Sequence, residues 1–493
     1  MPVPSHPTRR ALLFGSAGTA ALLAGGPGAL LGTGSAAPRP ALPVADTAVS
    51  LDAAPVTVDL GSRTVHTWGY ADRVPGPEIR VTAGGTVSAR LHNNLPQETT
   101  VHWHGLRIDP TMDGAPGLSQ VAVAPGDVFD YRFTAPDPGT YFYHSHVGTQ
   151  LDRAAYGALV VEDPAEPLGY DAEWIVVLDD WIDGTGTDPD AALNLIRTGP
   201  VQTMHSTLLG GTAGHIDYPH YLVNGRTPEA PEVFTETPGR RIRLRLINAG
   251  ADTAFRVALG GHELTVTHTD GYPVVPVTVD TLLIGMGERY DVLVTLADGV
   301  FPLVAAAEGK NARAFAVLRT SAGEAPSASV AVPELRGRLL TLADLVVDPS
   351  VDLGDTPARG VDLVLGRGRD GTGWTLGTSS AFDSPPLRVP VALGERVRLS
   401  FTNTTRMWHP VHLHGHTFQV RGATGRGPRK DTVMVRPRES VAVDVLAENP
   451  GEWMLHCHNL YHSELGMMAT FGYGETPPPG PDMPGMSGMS GPG

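Results

Sequence analysis

The sequence contains very little cysteine and very little lysine. Cys457 is the only cysteine among 493 residues, so no disulfide can form within the chain. Lys310 and Lys430 are the only lysines, and arginine supplies the remaining basic residues, which we interpret as a bias of genome composition. The net charge of −16 argues against nucleic acid as a partner.

Long apolar runs are also missing after the N-terminal segment, so no membrane span of about 20 residues is expected in the mature chain. Residues 1–37 are predicted to be a twin-arginine signal peptide, because Arg9 and Arg10 precede a moderately apolar run. An ordinary secretory signal is the alternative. The signal predicts export to an extracellular, cell-wall or periplasmic location. A lone thiol in such an oxidising place needs protection, which a bound metal would give.

Turn-forming residues are abundant, with 59 glycines and 44 prolines. Short strand patterns separated by turn signals, with few helical patterns, predict an all-β fold of the sandwich class. A chain of this length is expected to hold about three domains.

An internal repeat supports three domains. Gly84, Gly239 and Gly394 lie 155 residues apart, and each begins a segment that alternates apolar and polar residues. This pattern is typical of a half-buried strand. The predicted domains are 46–165, 166–325 and 335–475, followed by a disordered tail rich in Met, Gly and Pro at 476–493.

Histidines are clustered in the first and third predicted domains. The clusters are His102-Trp103-His104, His144-Ser145-His146, His409-Pro410-Val411-His412-Leu413-His414, and His456-Cys457-His458 with His462 and Met467. Alternate side chains on a strand share a face, so each His-x-His pair can hold one metal site. A single pair could equally be a packing pair or a structural zinc site, but eight imidazoles from four pairs suit several metals.

The middle domain has no such pairs. Ala258 and Gly260 stand where His412 and His414 stand in the third domain, at an offset of 154. The middle domain is therefore predicted to be a spacer without metal ligands. Three further histidines in this domain are predicted to lie in a solvated loop, with copper contact as the alternative: His205, His215 and His220.

The cysteine lies between two of the clustered histidines. A thiolate, imidazoles and a weak thioether are the ligands of a blue, electron-transferring copper. On a strand, Cys457 can bind one metal on one face while His456 and His458 point to the other face. This tripeptide could therefore connect two different metal sites.

The chain resembles the multicopper oxidases, the three-domain cupredoxin family of laccases, bacterial cuprous oxidases and bilirubin oxidases. All four motifs match, and the last, His-Cys-His-x3-His-x4-Met, is highly specific. The resemblance implies three consecutive cupredoxin-like Greek-key β-sandwich domains and four copper ions, one of type 1, one of type 2 and two of type 3. The implied ligands are His409, Cys457, His462 and axial Met467 for type 1; His102 and His412 for type 2; and His104, His144, His458 and His146, His414, His456 for the two type 3 ions.

The implied reaction takes electrons singly from phenols, aromatic amines or Cu(I) and passes four of them to O2, which becomes water. Asp113 resembles the family's acidic residue near the copper cluster, although a turn aspartate before Gly114 is the alternative. Many members have an acid directly after the second type 1 histidine, where this chain has Ser463 followed by Glu464. Asp113 and Glu464 are thus the candidate proton-relay residues.

Two other functions remain open at the level of the sequence. A non-catalytic copper carrier or sequestering protein would bind copper without consuming oxygen. A copper nitrite reductase would not need eight imidazoles. Met483, Met486 and Met489 in the tail could collect cuprous ions, because thioethers favour Cu(I), or could belong to a low-complexity segment. We expect a monomer.

Overall fold

A computed structural model describes residues 43–198, 204–354, 357, 359–368, 373–378, 386–422 and 426–474. The predicted signal peptide at 1–37 and tail at 476–493 lie outside these residues. Strands dominate the described part of the chain, and helices are few and short, which confirms the all-β prediction. Among these residues no helix is long and apolar enough to cross a membrane.

The first eight strands form two four-stranded sheets. They are β1 Thr47–Asp59, β2 Thr64–Tyr70, β3 Ile79–Thr82, β4 Thr86–Asn93, β5 His102–His104, β6 Val128–Thr134, β7 Gly139–His144 and β8 Tyr156–Glu162. One sheet has the order β2-β1-β4-β6 and the other the order β3-β8-β7-β5. Single 3-10 turns lie at Pro110–Met112 and Gln150–Arg153.

The next thirteen strands form a six-stranded sheet, a five-stranded sheet and a short pair. The elements are β9 Ala172–Trp181, α1 Pro189–Thr198, β10 His205–Ser206, β11 Gly211–Thr212, β12 His220–Val223, β13 Glu232–Thr235, β14 Arg241–Asn248, β15 Phe255–Leu259, β16 Leu264–Thr269, β17 Tyr272–Val279, β18 Leu282–Ile284, β19 Arg289–Thr295, β20 Val300–Ala307 and β21 Ala312–Arg319. The sheet orders are β12-β9-β14-β19-β16-β17, β13-β21-β20-β15-β18 and β10-β11.

The last strands form a six-stranded and a five-stranded sheet, after 3-10 turns at Pro333–Arg336, Leu342–Asp344 and Pro349–Val351. The elements are β22 Arg359–Arg367, β23 Trp374–Gly377, β24 Arg388–Val391, β25 Arg396–Asn403, β26 His409–Leu413, β27 Phe418–Arg421, β28 Arg429–Lys430, β29 Thr432–Val435, β30 Ser440–Leu446, β31 Glu452–Cys457, α2 Leu460–Glu464 and β32 Met468–Tyr473. The sheet orders are β23-β22-β25-β30-β27-β28 and β24-β32-β31-β26-β29.

The three repeated segments of the sequence are β4, β14 and β25. Each strand pairs in parallel with the first strand of its region and antiparallel with β6, β19 or β30. The preceding Gly84, Gly239 and Gly394 have φ values of 85°, 80° and 79°, a left-handed conformation that glycine adopts without strain. The repeat in sequence is thus a repeat of turn, strand and pairing.

Each repeated strand ends in a buried asparagine that performs the same task. The side-chain amide of Asn248 donates to the carbonyls of Thr253 and Ile284 at 2.9 and 3.0 Å, and its oxygen accepts from the Gly250 N–H at 3.0 Å. Asn93 and Asn403 make the corresponding three bonds in their own regions. These bonds satisfy backbone groups where the chain leaves the strand, so they fix the start of the following loop.

Candidate metal centre

The lone cysteine ends β31, and two histidines converge on it. His409 begins β26, the neighbouring strand, and His462 lies in α2. The Cys457 Sγ atom is 3.6 Å from Nδ1 of His409 and 3.5 Å from Nδ1 of His462, and the two Nδ1 atoms are 3.0 Å apart. All three side chains are fully buried. A thiol and two imidazoles thus present one ligand atom each to a common point.

The loop after the cysteine is held by its own backbone. The N–H of Cys457 donates to the carbonyl of Met467 at 3.0 Å, and the Met467 N–H donates to the carbonyl of His462 at 2.9 Å. Met467 is fully buried in the same apolar cluster as Cys457. Burial raises the pKa of the Cys457 thiol, and a bound metal would replace its proton.

Eight other histidines meet in three groups, two of which share His104. Antiparallel pairing sets His102 opposite His144 in β5 and β7, and His412 opposite His456 in β26 and β31. The remaining four lie on these strands or directly after them. The groups are His102, His104, His412; His104, His144, His458; and His146, His414, His456.

The free nitrogens of these rings fit a metal cluster. Several buried ring nitrogens have no hydrogen-bond partner among the described residues: Nε2 of His102, His144, His412 and His458, and Nδ1 of His104 and His458. On the other side, Nδ1 of His102 donates to the carbonyl of Asp113 at 2.8 Å, and Nδ1 of His144 to that of Ser145 at 2.8 Å. Such a bond leaves the Nε2 lone pair free for a metal. Buried polar atoms without partners are costly, and metal binding would remove that cost.

The charge state of the rings also suits metal binding. Burial, with smaller contributions from neighbouring imidazoles, lowers the pKa of His144, His414, His456 and His458. The same causes lower the pKa of His146 to about 3. Neutral imidazoles beside a thiolate are a donor set that suits copper.

Asp113 lies against the histidine groups. It is buried directly after the turn Pro110–Met112, and its Oδ2 atom accepts from Nδ1 of His414 at 2.8 Å. Its backbone carbonyl accepts from His102. Asp113 therefore joins a histidine of the first region to one of the third.

Glu464 is partly buried at the end of α2. With His146, His456 and Ser463 it lines a cavity of about 20 Å3, which has room for about one water molecule. Burial raises the pKa of Glu464 to about 7, opposed by Arg197 and reinforced by Asp190. Both candidate carboxylates thus lie beside the histidines.

A carboxylate that the sequence reasoning missed is Asp431, between β28 and β29. Its Oδ1 atom is 3.1 Å from Nε2 of His104 and 3.3 Å from Nδ1 of His412. Arg289, in β19 of the middle region, donates to both oxygens of Asp431 at 2.8 and 2.6 Å. All four side chains are fully buried. A two-bond arginine–carboxylate pair therefore fixes the orientation of two imidazoles.

A buried lysine extends this network. Lys430, next to Asp431, is fully buried, and its Nζ atom lies 3.1 Å from the carboxylates of both Asp270 and Glu288. Asp270 Oδ2 also accepts the backbone N–H of Thr432 at 3.1 Å. Lys430 thus supplies a compact cation to two buried carboxylates next to Asp431.

The prediction of a solvated loop is wrong for His215. It is 5% exposed, and its Nε2 atom lies 2.8 Å from Nε2 of His462. His205 is exposed, and His220 is half-buried at the start of β12. His416, which follows the third histidine cluster, is buried, and its Nε2 atom lies 2.7 Å from the Tyr473 hydroxyl.

Comparison with known families defines the class of the protein. Three family profiles, each described as multicopper oxidase, match residues 53–166, 172–323 and 357–476. The chain belongs to the multicopper oxidase family. It is a copper-binding oxidoreductase that acts as an oxidase.

Individual relatives agree with this class. The chain is 47% identical to multicopper oxidase MmcO of Mycobacterium tuberculosis, covering 85% of each protein. It is 28% identical to a copper resistance protein A homolog of Pseudomonas syringae pv. tomato, covering 80% of this chain and 87% of that protein. The crystal structure of laccase from Botrytis aclada superimposes with a TM-score of 0.73 at 26% identity, covering 88% of each chain. The cupredoxin-like sandwich fold predicted from the resemblance is confirmed.

Proposed function

We propose that the protein is an exported oxidase that couples four one-electron oxidations of phenols, aromatic amines or Cu(I) to the reduction of O2 to water. The observation that carries this proposal is the tripeptide His456-Cys457-His458. Its cysteine belongs to the group with His409 and His462, while its two histidines belong to the two separate groups of three imidazoles. One short covalent path therefore connects a site suited to accept single electrons with a site suited to hold several metals.

The proposed cofactor is four copper ions, which when bound supply one-electron acceptance and the four-electron reduction of O2. His409, Cys457 and His462, with axial Met467, are the proposed type 1 ligands. His102 and His412 are the proposed type 2 ligands. The proposed type 3 ligands are His104, His144 and His458 for one ion and His146, His414 and His456 for the other.

The surrounding residues orient these ligands and hold protons. The Oγ1 atom of Thr405 lies 2.8 Å from Nε2 of His409, which leaves Nδ1 of that ring facing Cys457. Asp113 is proposed to relay protons, because its carboxylate oxygens lie 3.2 Å from Nδ1 of His102 and 2.8 Å from Nδ1 of His414. Glu464 is proposed to pass protons through the cavity that it shares with His146 and His456.

The proposed domains are 46–165, 166–325 and 335–475, preceded by a twin-arginine signal at 1–37 and followed by a tail at 476–493. The ranges matched by the three family profiles support this division. The proposed location is extracellular, cell-wall or periplasmic, and the proposed state is a monomer.

Oxygen uptake by the copper-loaded protein tests the function. We expect uptake with an aromatic donor, with Cu(I), or with both, and none in Cys457→Ser. Copper binding without oxygen uptake on any of these reductants would support a copper carrier instead. The relatives named for copper resistance support Cu(I) as one reductant.

The tail offers a sharper test of the reductant. If Met483, Met486 and Met489 deliver Cu(I), deletion of residues 476–493 should raise the apparent KM for Cu(I) and leave small phenols unaffected. Equal losses on both reductants would indicate a structural tail.

A further inference from the structure

Both ring nitrogens of His462 are engaged. Nδ1 faces Cys457 Sγ at 3.5 Å, and Nε2 lies 2.8 Å from Nε2 of His215, a residue 247 positions earlier in the chain. His462 is fully buried, and His215 is almost so. The His462 ring therefore contacts the cysteine with one nitrogen and an imidazole of the middle region with the other.

The chemistry of the two rings fixes where the protons lie. Two Nε2 atoms at hydrogen-bond distance need one proton between them. If Nδ1 of His462 binds copper, that ring carries its proton on Nε2 and donates it to His215. His215 must then carry its own proton on Nδ1, which is buried and has no partner among the described residues.

A single carboxylate holds the backbone of His215. Asp252 Oδ2 accepts the backbone N–H groups of His215 and Ile216 at 2.7 and 3.0 Å. Lys310 donates to the same oxygen at 2.9 Å and to the Thr253 hydroxyl at 2.9 Å. The loop that carries His215 is therefore fixed by buried charge rather than by packing alone.

The same carboxylate also holds the helix that carries His462. Asn459 donates from Nδ2 to Asp252 Oδ1 at 2.7 Å, and its Oδ1 atom accepts the backbone N–H of His462 at 3.2 Å. Asp252 thus binds the backbone of His215 directly and that of His462 through Asn459. The two imidazole rings are also in contact with each other. The Trp374 ring, 3.9 Å from the His462 ring, limits movement on another side.

The Lys310–Asp252 pair is difficult to explain by stability. Both side chains are fully buried, and a buried ion pair often stabilises a fold no better than packed apolar residues. Lys310 is also one of only two lysines in the chain. Its ammonium group neutralises the carboxylate that holds both His215 and Asn459.

We propose that His215 is a positioning residue of the type 1 copper site, which accepts the Nε2 proton of His462 and so fixes the tautomer and orientation of that ligand. This inference rests on the proposed type 1 ligands. A hydrogen bond from the outer nitrogen of a ligating imidazole raises the basicity of the coordinating nitrogen, and losing such a partner typically lowers metal affinity or activity about 10–100-fold. The same bond favours Cu(II) and so lowers the reduction potential of the site.

The test compares three variants of the copper-loaded protein. His215→Leu removes the acceptor at similar volume, His215→Gln keeps an acceptor oxygen, and His205→Leu changes an exposed histidine of the same region. Each is measured for retention of blue copper against a chelator, for the visible and EPR spectra, and for reduction potential.

We expect His215→Leu to lose blue copper at least about tenfold more readily and to show a raised potential and altered spectra. His215→Gln should stay within about twofold of wild type, and His205→Leu should match it. Wild-type potential, spectra and copper retention in His215→Leu would overturn the inference. Equal defects in the Leu and Gln variants would also overturn it, because they would indicate a role of shape alone.

If His215→Leu does not fold, a measurement on the wild-type protein can still test the proposed hydrogen bond. In the reduced, diamagnetic Cu(I) protein, 15N NMR should show His462 protonated at Nε2, with a proton in slow exchange that is shared with His215. A freely exchanging or absent proton there would overturn the inference. Absence of a blue band in copper-loaded wild type would instead refute the ligand assignment on which the inference rests.

Discussion

The strands β5, β15 and β26 hold the same place in three copies of one sandwich, yet only two of them carry histidines. Each pairs antiparallel with a corresponding neighbour, which is β7, β20 or β31. In β15, Ala258 stands opposite Val304, and both belong to an apolar cluster with Phe315 and Val317. The same backbone position therefore holds candidate metal ligands in two regions and ordinary core in the third. The fold supplies the position, and the side chains decide whether a site forms there.

The middle region nevertheless contributes to both candidate sites. Arg289 reaches His104 and His412 through Asp431, and His215 reaches His462 directly. That this region carries no metal ligands stays a prediction, but its residues contact those of both candidate sites. A region without ligands can orient the ligands of its neighbours, because a buried polar contact is strong where no water competes.

The largest expected effect comes from replacing Cys457, the one cysteine, which has no counterpart in the other two regions. Cys457→Ser should abolish the blue absorption and the oxidase activity, because serine supplies no thiolate, while the eight imidazoles keep their copper. Ser145 is the natural counterpart of this change in the first region. Absorption spectra, copper analysis and oxygen uptake measure the result, and a retained blue band in the variant would contradict the ligand assignment.

The next effect tests whether one site is shared by the first and third regions. His102→Ala or His412→Ala should each lower type 2 copper occupancy and block O2 reduction, because each removes one of two ligands. Reduction of the blue copper by substrate should continue under anaerobic conditions. His416→Gln, which changes a buried histidine outside the ligand groups, should keep its copper. Normal oxygen uptake in either alanine variant would show that the shared site is assigned wrongly.

Much of the fold and of the candidate site could be predicted because it depends on residues that lie close together in the sequence. Turn glycines followed by alternating strands gave the repeat, and His-x-His pairs on strands gave the faces that the ligands share. Asp431, Arg289 and His215 could not be found in this way. Their contacts join residues far apart in the chain, and no spacing rule marks a lone arginine or histidine as a partner of a ligand.

The only two lysines of the chain are both buried close to these residues. Lys310 is tied to Asp252 beside His215, and Lys430 is tied to Asp270 and Glu288 beside Asp431. Lys310 binds within the middle region, whereas Lys430 of the third region binds across to carboxylates of the middle region. Each lysine supplies a compact charge to buried carboxylates in a confined space.

The contribution of the middle region to the histidine groups gives a smaller effect. Asp431→Asn should lower type 2 copper affinity about 10–100-fold, because the amide cannot accept from Arg289 and the imidazoles as the carboxylate does. Copper retention against a chelator measures the loss. Asp444→Asn, which weakens an ion pair with Arg398 away from the histidines, is the matched control. Equal retention in the two variants would mean that Asp431 does not orient the ligands.

The smallest effect concerns what the three regions share. Asn248→Ala removes two donated bonds and one accepted bond and leaves their backbone partners buried without replacement. We expect a loss of about 1–3 kcal/mol in the free energy of unfolding, measured by urea denaturation of the copper-free protein. Asn93→Ala and Asn403→Ala should give similar losses, because their bonds are equivalent and copper is absent. Asn94→Ala, next to Asn93 but exposed, should change the free energy little. A large loss at Asn93 and Asn403 with none at Asn248 would contradict the prediction. It would mean that the three bonds of Asn248 do not stabilise the middle region.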